Sequence, residues 1–193
     1  MVNLTENKKT THIERDAIQM FEKNTQVILG DKLTEEAYEI GKQRYLSNRK
    51  DGVYNAQISL TNPHILDGEG VCGEFAFAKM VDAPKVEWER IKNVAPRNVE
   101  TDLGDVAYNH IQFDVKTTKY SGGHLIITKS KLSYLVQAYA LFTGYKGDYI
   151  FRGVISREMI LAHKNEYHTD KKSGALWIRQ DQLSHLPSKL SQN

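Results

Sequence analysis

Cysteine is nearly absent from this sequence: Cys72 is the only one, so no disulfide can close within the chain. Proline is scarce, with four residues, and no Gly-, Ser- or Pro-rich stretch marks a linker, which favours one domain over residues 1–193. No apolar run approaches the roughly 18 residues that a transmembrane helix needs, which argues against a membrane partner. The first ten residues are polar and lack the apolar segment of a secretory signal. Together these absences predict a cytoplasmic protein. An excess of charge is missing too: 26 Lys and Arg stand against 24 Asp and Glu. Any basic surface for a nucleic acid must then be local. Among seven histidines there is no H-E-x-x-H, and there is no C-x-x-C, so a zinc site is not expected.

What is present is an ordinary apolar fraction of 40%, enough for a real core. Residues 1–10 and 188–193 read as flexible ends. Thr11 and Glu14 fit a capping box, and Ile13, Ala17, Met20, Phe21, Val27 and Ile28 form a helical stripe that ends at Gly30-Asp31. A second helix is predicted from near Thr34 to about Asn48, a strand over Ala56–Leu60, and a loop through Pro63 and Gly68. A third helix is expected from near Gly70, carrying Glu74. Val86–Val94 reads as a strand, with a short helix as the alternative. Leu125–Thr128 reads as a strand. Leu132, Leu135, Val136, Tyr139 and Ala140 have helical spacing, closed by Gly144 and Gly147. Tyr149–Ile155 and Ala175–Ile178 read as strands, with a short helix over Arg157–His163. The fold class is therefore α/β: a mixed central sheet of four or five strands flanked by helices, with an extra N-terminal helical pair.

The clearest hairpin spans residues 99–108 and 111–118. Ile111, Phe113 and Val115 alternate with Gln112, Asp114 and Lys116, the period of a half-buried strand. Asn109-His110 supplies a two-residue turn, because Asn tolerates positive φ. That turn pairs Tyr108 with Ile111, Val106 with Phe113 and Asp105 with Asp114. Two carboxylates then share one face with Cβ atoms roughly 5 Å apart, a repulsive arrangement unless a cation lies between them. Lys116 lies two residues along the same face. Mg²⁺ is commonly held by one or two carboxylates plus waters and substrate phosphate. Such an ion can activate a water and neutralise charge on a phosphodiester, with a lysine alongside to stabilise the transition state. An Asp-x-Lys by itself is common on solvated strand faces; the cross-strand Asp105 distinguishes this one.

Asp105 followed by Asp114-Val115-Lys116-Thr117-Thr118 resembles the PD-(D/E)xK, restriction-endonuclease-like nuclease signature of phage and bacterial type. Gly73-Glu74 with Ala76 resembles the glutamate-bearing helix that precedes the hairpin in such nucleases, and the resemblance covers about residues 70–180 as a nuclease-like core. It implies a Mg²⁺-dependent endonuclease, with Mn²⁺ as an alternative ion, hydrolysing DNA with water as nucleophile. RNA stays open as a substrate, and a homodimer is compatible with the family. In this reading Asp105 and Asp114 bind the metal, with the Val115 carbonyl as a further ligand. Glu74 reaches the metal directly or through water, and Lys116 assists the attacking water. The chain departs from the pattern in having no proline before Asp105 and Asp rather than Glu at 114. Asp102 offers a competing first acid, and Gln137 is not followed by a tyrosine at 141.

Two other motifs are present. Gly68-Glu-Gly70-Val-Cys-Gly73 satisfies G-x-G-x-x-G, but Asn62-Pro63-His64 rather than a buried strand precedes it, so a loop leading into the Glu74 helix is preferred to a dinucleotide site. The segment Lys119-Tyr-Ser-Gly-Gly-His124 follows the hairpin directly. Lys119, Gly122, Gly123 and His124 are candidates for phosphate contact, weighed equally with a plain flexible loop. Two rivals to the nuclease reading are a non-catalytic nucleic-acid-binding protein that keeps the fold, and an interaction protein whose Asp-x-Lys is mere surface.

Overall fold

The computed structural model describes residues 20–50, 63–94, 104–132 and 135–187. The capping box at Thr11, the strand over Ala56–Leu60, the competing Asp102 and both expected flexible ends lie outside these residues. Among the described residues no helix is long and apolar enough to cross a membrane.

The chain opens with two short strands, β1 (Met20–Phe21) and β2 (Gln26–Ile28). From Met20 to Ile28 this corrects the expected N-terminal helical stripe, whose Ile13 and Ala17 lie outside the described residues: Val27 is buried while Gln26 and Ile28 face out, the alternation of a strand. Gly30 takes φ 79°, and helix α1 (Asp31–Lys50) follows it directly. Only one helix, not a pair, therefore precedes the core elements among these residues.

Helix α2 (Pro63–Met80) starts seven residues earlier than the glycines suggest. Proline is well suited to a first helical position, where its missing N–H is not needed. The G-x-G-x-x-G stretch is thus helix interior, which rules out the loop expected there. A helical glycine costs about 1 kcal/mol relative to Ala, but two of these permit close packing. A Cβ on Gly41 of α1 would lie 2.3 Å from the Gly68 nitrogen, and one on Gly73 would lie 2.1 Å from Thr117 Cγ2. Residues 71–78 are all buried. Val86–Val94, read first as a strand, instead holds helix α3 (Lys85–Lys92), as the alternative had it.

The hairpin follows as β3 (Val106–Tyr108) and β4 (Ile111–Thr118), then β5 (Leu125–Ile127) and one 3-10 turn at Lys129–Lys131. The expected helix from Leu132 to Ala140 is not formed: Ala138–Tyr145 is strand β6, in which Gly144 pairs with Tyr149, and Gly147 belongs to the turn into β7 (Asp148–Ser156). Helix α4 (Arg157–Ala162) is capped by the Ser156 side chain, which accepts from the Met159 amide at 3.1 Å. Strands β8 (His168–Thr169), β9 (Leu176–Ile178) and β10 (Leu186–Pro187) complete the set.

The main sheet has the order β2-β7-β6-β4-β3, with β4 and β6 parallel and the other neighbours antiparallel. Residues alternate across β6: Ala138, Ala140 and Phe142 join one core with Phe75, Phe77 and Phe113, while Tyr139 and Leu141 join a second with Leu125, Ile127, Ile160 and Ile178. The first core lies under α1, α2 and α3. The second lies under α4 and a three-stranded sheet of order β5-β9-β8. The result is a mixed α/β fold with helices flanking the five-stranded sheet.

Candidate functional site

The hairpin register is the one the turn dictates. Val106 faces Phe113, Ala107 faces Gln112 and Tyr108 faces Ile111. Asn109 and His110 both take positive φ, 50° and 65°, as a two-residue hairpin turn of this hand requires. Just before β3, Gly104 adopts φ 82°, and a Cβ there would sit 2.6 Å from the Phe113 carbonyl oxygen. Only glycine suits that position. The bend it makes lets the Asp105 amide donate to Phe113 O at 2.7 Å, while Asp105 Oδ2 accepts from the Val115 amide at 2.7 Å.

Asp105 and Asp114 are both buried, with relative exposures of 6% and 1%. Asp114 is therefore not a solvated strand-face residue. It lies beside Tyr139 and Lys116 lies beside Leu141 across the parallel pair, on the face of the second core. The Lys116 ammonium contacts Asp114 Oδ2 directly. A second ammonium, Lys131, stands 4.0 Å from Asp114 Oδ1. The Tyr139 hydroxyl holds its backbone by donating to Lys131 O at 2.6 Å.

The electrostatics follow from this crowding. Burial pushes the Asp114 carboxyl up; Lys116 opposes the shift and the Asp105 charge adds to it. Burial alone would depress the Lys116 ammonium, but the charges of Asp114 and Asp105 outweigh it and hold Lys116 above the usual lysine range. An acid made harder to ionise by its neighbour Asp105, with the Lys116 ammonium against it, forms a strongly polar patch at the edge of an apolar core.

The Val115 carbonyl also faces this region. Gln112 O accepts from Gln137 N, so the even residues of β4 bond towards β6, whereas the Val115 amide bonds to Asp105. In a strand, the amide and carbonyl of one residue point to the same side, so Val115 O is directed towards Asp105 rather than β6.

Glu74 stands differently. Its carboxylate receives Arg44 Nη1 and Nη2 at 2.8 and 3.0 Å, an ion pair between α1 and α2. Its charge is felt at Lys116 only as the last of four carboxylate effects. Among the described residues no three His, Cys, Asp or Glu side chains come together closely enough to hold a metal ion by themselves. The structure thus gathers Asp105, Asp114 and Lys116, and leaves Glu74 bound to arginine.

The loop after β4 holds Lys119, Gly122, Gly123 and His124. Gly123 N donates to Tyr120 O at 2.9 Å, and Gln180 Nε2 donates to the Ser121 and Gly123 carbonyls at 2.7 and 2.8 Å. Gly122 has open space around its Cα, and the Lys119 ammonium sits 5.3 Å from the Tyr120 ring centre. These hydrogen bonds tie the loop to Gln180.

The sequence reading missed the supports of the site. Glu87 of α3 accepts the Ala107 amide at 2.7 Å, covering the outer edge of β3, and pairs with Arg90 at 2.7 Å. Arg90 in turn donates to Gln112 Oε1 at 2.9 Å. A Glu and an Arg three apart on a helix was the available signal, hidden by reading this segment as a strand. Lys131 lies outside the expected site residues; the 3-10 turn at Lys129–Lys131 brings it to Asp114.

The chain matches no family model, no curated protein and no solved structure.

Proposed function

We propose that this chain is a divalent-metal-dependent nuclease that hydrolyses DNA phosphodiester bonds, on a restriction-endonuclease-like core over residues 70–180. One observation carries the proposal: two buried carboxylates, Asp105 and Asp114, lie on adjoining strand segments with the Lys116 ammonium in contact with one of them. Like charges buried together are costly unless a cation compensates them. The two neighbouring carboxylates and the direction of the Val115 carbonyl fit an oxygen-seeking ion such as Mg²⁺ or Mn²⁺.

Asp105 and Asp114 would hold the ion, with Val115 O as a third protein oxygen and Glu74 reaching it only through water, since Arg44 occupies its carboxylate. When bound, the ion lowers the pKa of a water and neutralises charge on the scissile phosphate. Lys116 donates hydrogen bonds to that water or to a phosphate oxygen and stabilises the negative charge that grows there. Lys131 supplies a second cation, near the other Asp114 oxygen. Tyr139 and Leu141 line the apolar flank and keep bulk water off the carboxylate.

The test is plasmid nicking in Mg²⁺ by wild type, D114N and K116M. Each variant is expected to lose at least about a hundredfold in rate, with an unchanged circular dichroism spectrum. Wild-type rates in both variants end the proposal. A second reading, a nucleic-acid-binding protein without turnover, is favoured by one observation: Lys116 and Arg44 already neutralise Asp114 and Glu74 within the chain. Calorimetric Mg²⁺ binding without nicking selects that reading.

A further inference from the structure

A row of side chains crosses the outer face of the three-stranded sheet. Ile126 faces Trp177 and Trp177 faces His168 in the strand register. Their neighbours Leu125, Ile127, Leu176 and Ile178 turn inward and are buried, so the row turns outward. Trp177 is 37% exposed, and the rings of His124 and His168 flank it with centroids 6.0 and 5.7 Å away. Tyr120, 66% exposed, belongs to the same braced loop as His124, with the Lys119 ammonium over its ring.

The surrounding charge is one-sided. Residues 119–132 and 164–181 carry seven Lys and Arg against three Asp and Glu, whereas the whole chain carries 26 against 24. Two of the seven are in ion pairs, Arg179 with Asp181 and Lys131 with Asp114, and the other five are lysines; a local excess of this kind is what a nucleic-acid-binding chain of balanced composition requires. A face built to dock a protein would be richer in aliphatic groups; here Ile126 is the only one in the row. Flat exposed rings among cations suit bases that stack while their phosphates meet lysines.

We infer that the outer face of this sheet is a stacking platform for single-stranded DNA, centred on Trp177 with His124 and His168 beside it. The choice of DNA rests on the nuclease reading. The loop from Lys119 to His124 joins the platform to the strand that bears Lys116. An unpaired stretch of substrate would lie along the platform while an adjoining phosphate occupies the site.

The test is binding of fluorescein-labelled oligothymidylate in EDTA, followed by anisotropy and by tryptophan emission. Wild type is expected to show quenching, with affinity falling steeply as salt rises. W177A is expected to weaken binding about tenfold or more, and W177F to stay within about threefold of wild type. H168A, at an exposed position, is expected to weaken binding about threefold and repeats the test without touching the buried side of the sheet. Tighter binding of an oligouridylate with the same W177A loss keeps the platform and assigns it RNA. Absence of binding, or equal binding by W177A and wild type, overturns it. Plasmid nicking with unaltered W177A binding sinks the platform and leaves the nuclease reading standing; W177-dependent binding without nicking does the reverse.

Discussion

Asp105 does two things that pull in opposite directions. Its charge raises the cost of ionising Asp114, while its Oδ2 satisfies the Val115 amide inside the hairpin. Removing the whole side chain and removing only the charge should therefore differ. D105A leaves a buried donor unpaired and is expected to lower stability by about 1–3 kcal/mol. D105N keeps an acceptor oxygen and relieves the repulsion, so it should match or exceed wild type in urea midpoint. Equal loss in both variants would mean that the carboxylate, rather than the acceptor, holds the strand end. Cys72 gives a second residue-scale prediction. Burial among α2 neighbours pushes its thiol up to about 12. The thiolate is the reactive form, so a thiol reagent at neutral pH should label Cys72 only as fast as the protein unfolds.

Helix α1 meets α2 where Gly41 lies against the backbone of Gly68. No flexible side chain is there to yield, so G41A should force the helices apart and cost about 1–3 kcal/mol, read from the urea midpoint. The Asn109-His110 turn offers a change in the other direction. His110 holds φ 65°, a conformation that costs a non-glycine residue about 1 kcal/mol. H110G is expected to leave stability unchanged or raise it by up to about 1 kcal/mol, with the hairpin register intact. This hairpin was legible in the sequence because its information is local: alternation, a two-residue turn and the residue types in it. Counting from the turn gave the three pairs from Val106 to Tyr108, whereas Asp105 lies just outside β3, with its amide on Phe113 O and its carboxylate on the Val115 amide. Strand β6 was not legible, because both of its faces are buried and such a strand has no alternation. The small and large apolar residues from Leu132 to Ala140 then imitated a helix. Helix α2 was half legible, since glycines that serve close packing look the same in sequence as glycines that make loops. Glu87 and Arg90 were lost with the misread helix that carries them.

At the scale of the molecule, several hydroxyl groups are buried in the neutral form. Burial, followed by contact with Glu69, pushes the Tyr38 hydroxyl far up. Burial, followed by nearby Cys72, does the same to Tyr149, and burial raises Tyr139. The sign is the same for each: the folded group holds its proton after the unfolded one has lost it. Their contribution is fully present below about pH 10, the unfolded tyrosine value, and is lost as pH rises above it. Urea midpoints measured from pH 8 upward should be flat and then fall steeply past about pH 10, and Y149F should soften that fall. A midpoint that stays flat to pH 11 or beyond would contradict the burial of these groups.

The pairing of β4 with β6 also has a consequence for assembly. β3 and β4 are joined by two residues, so their hairpin can form within microseconds of being free to do so. The strand that encloses Asp114 begins at Ala138, and the sheet that closes the second core ends later still at Ile178. During vectorial synthesis, the two acids therefore meet before the segments that will shelter them have left the ribosome. For that interval water and free cations screen the pair, and enclosure comes last.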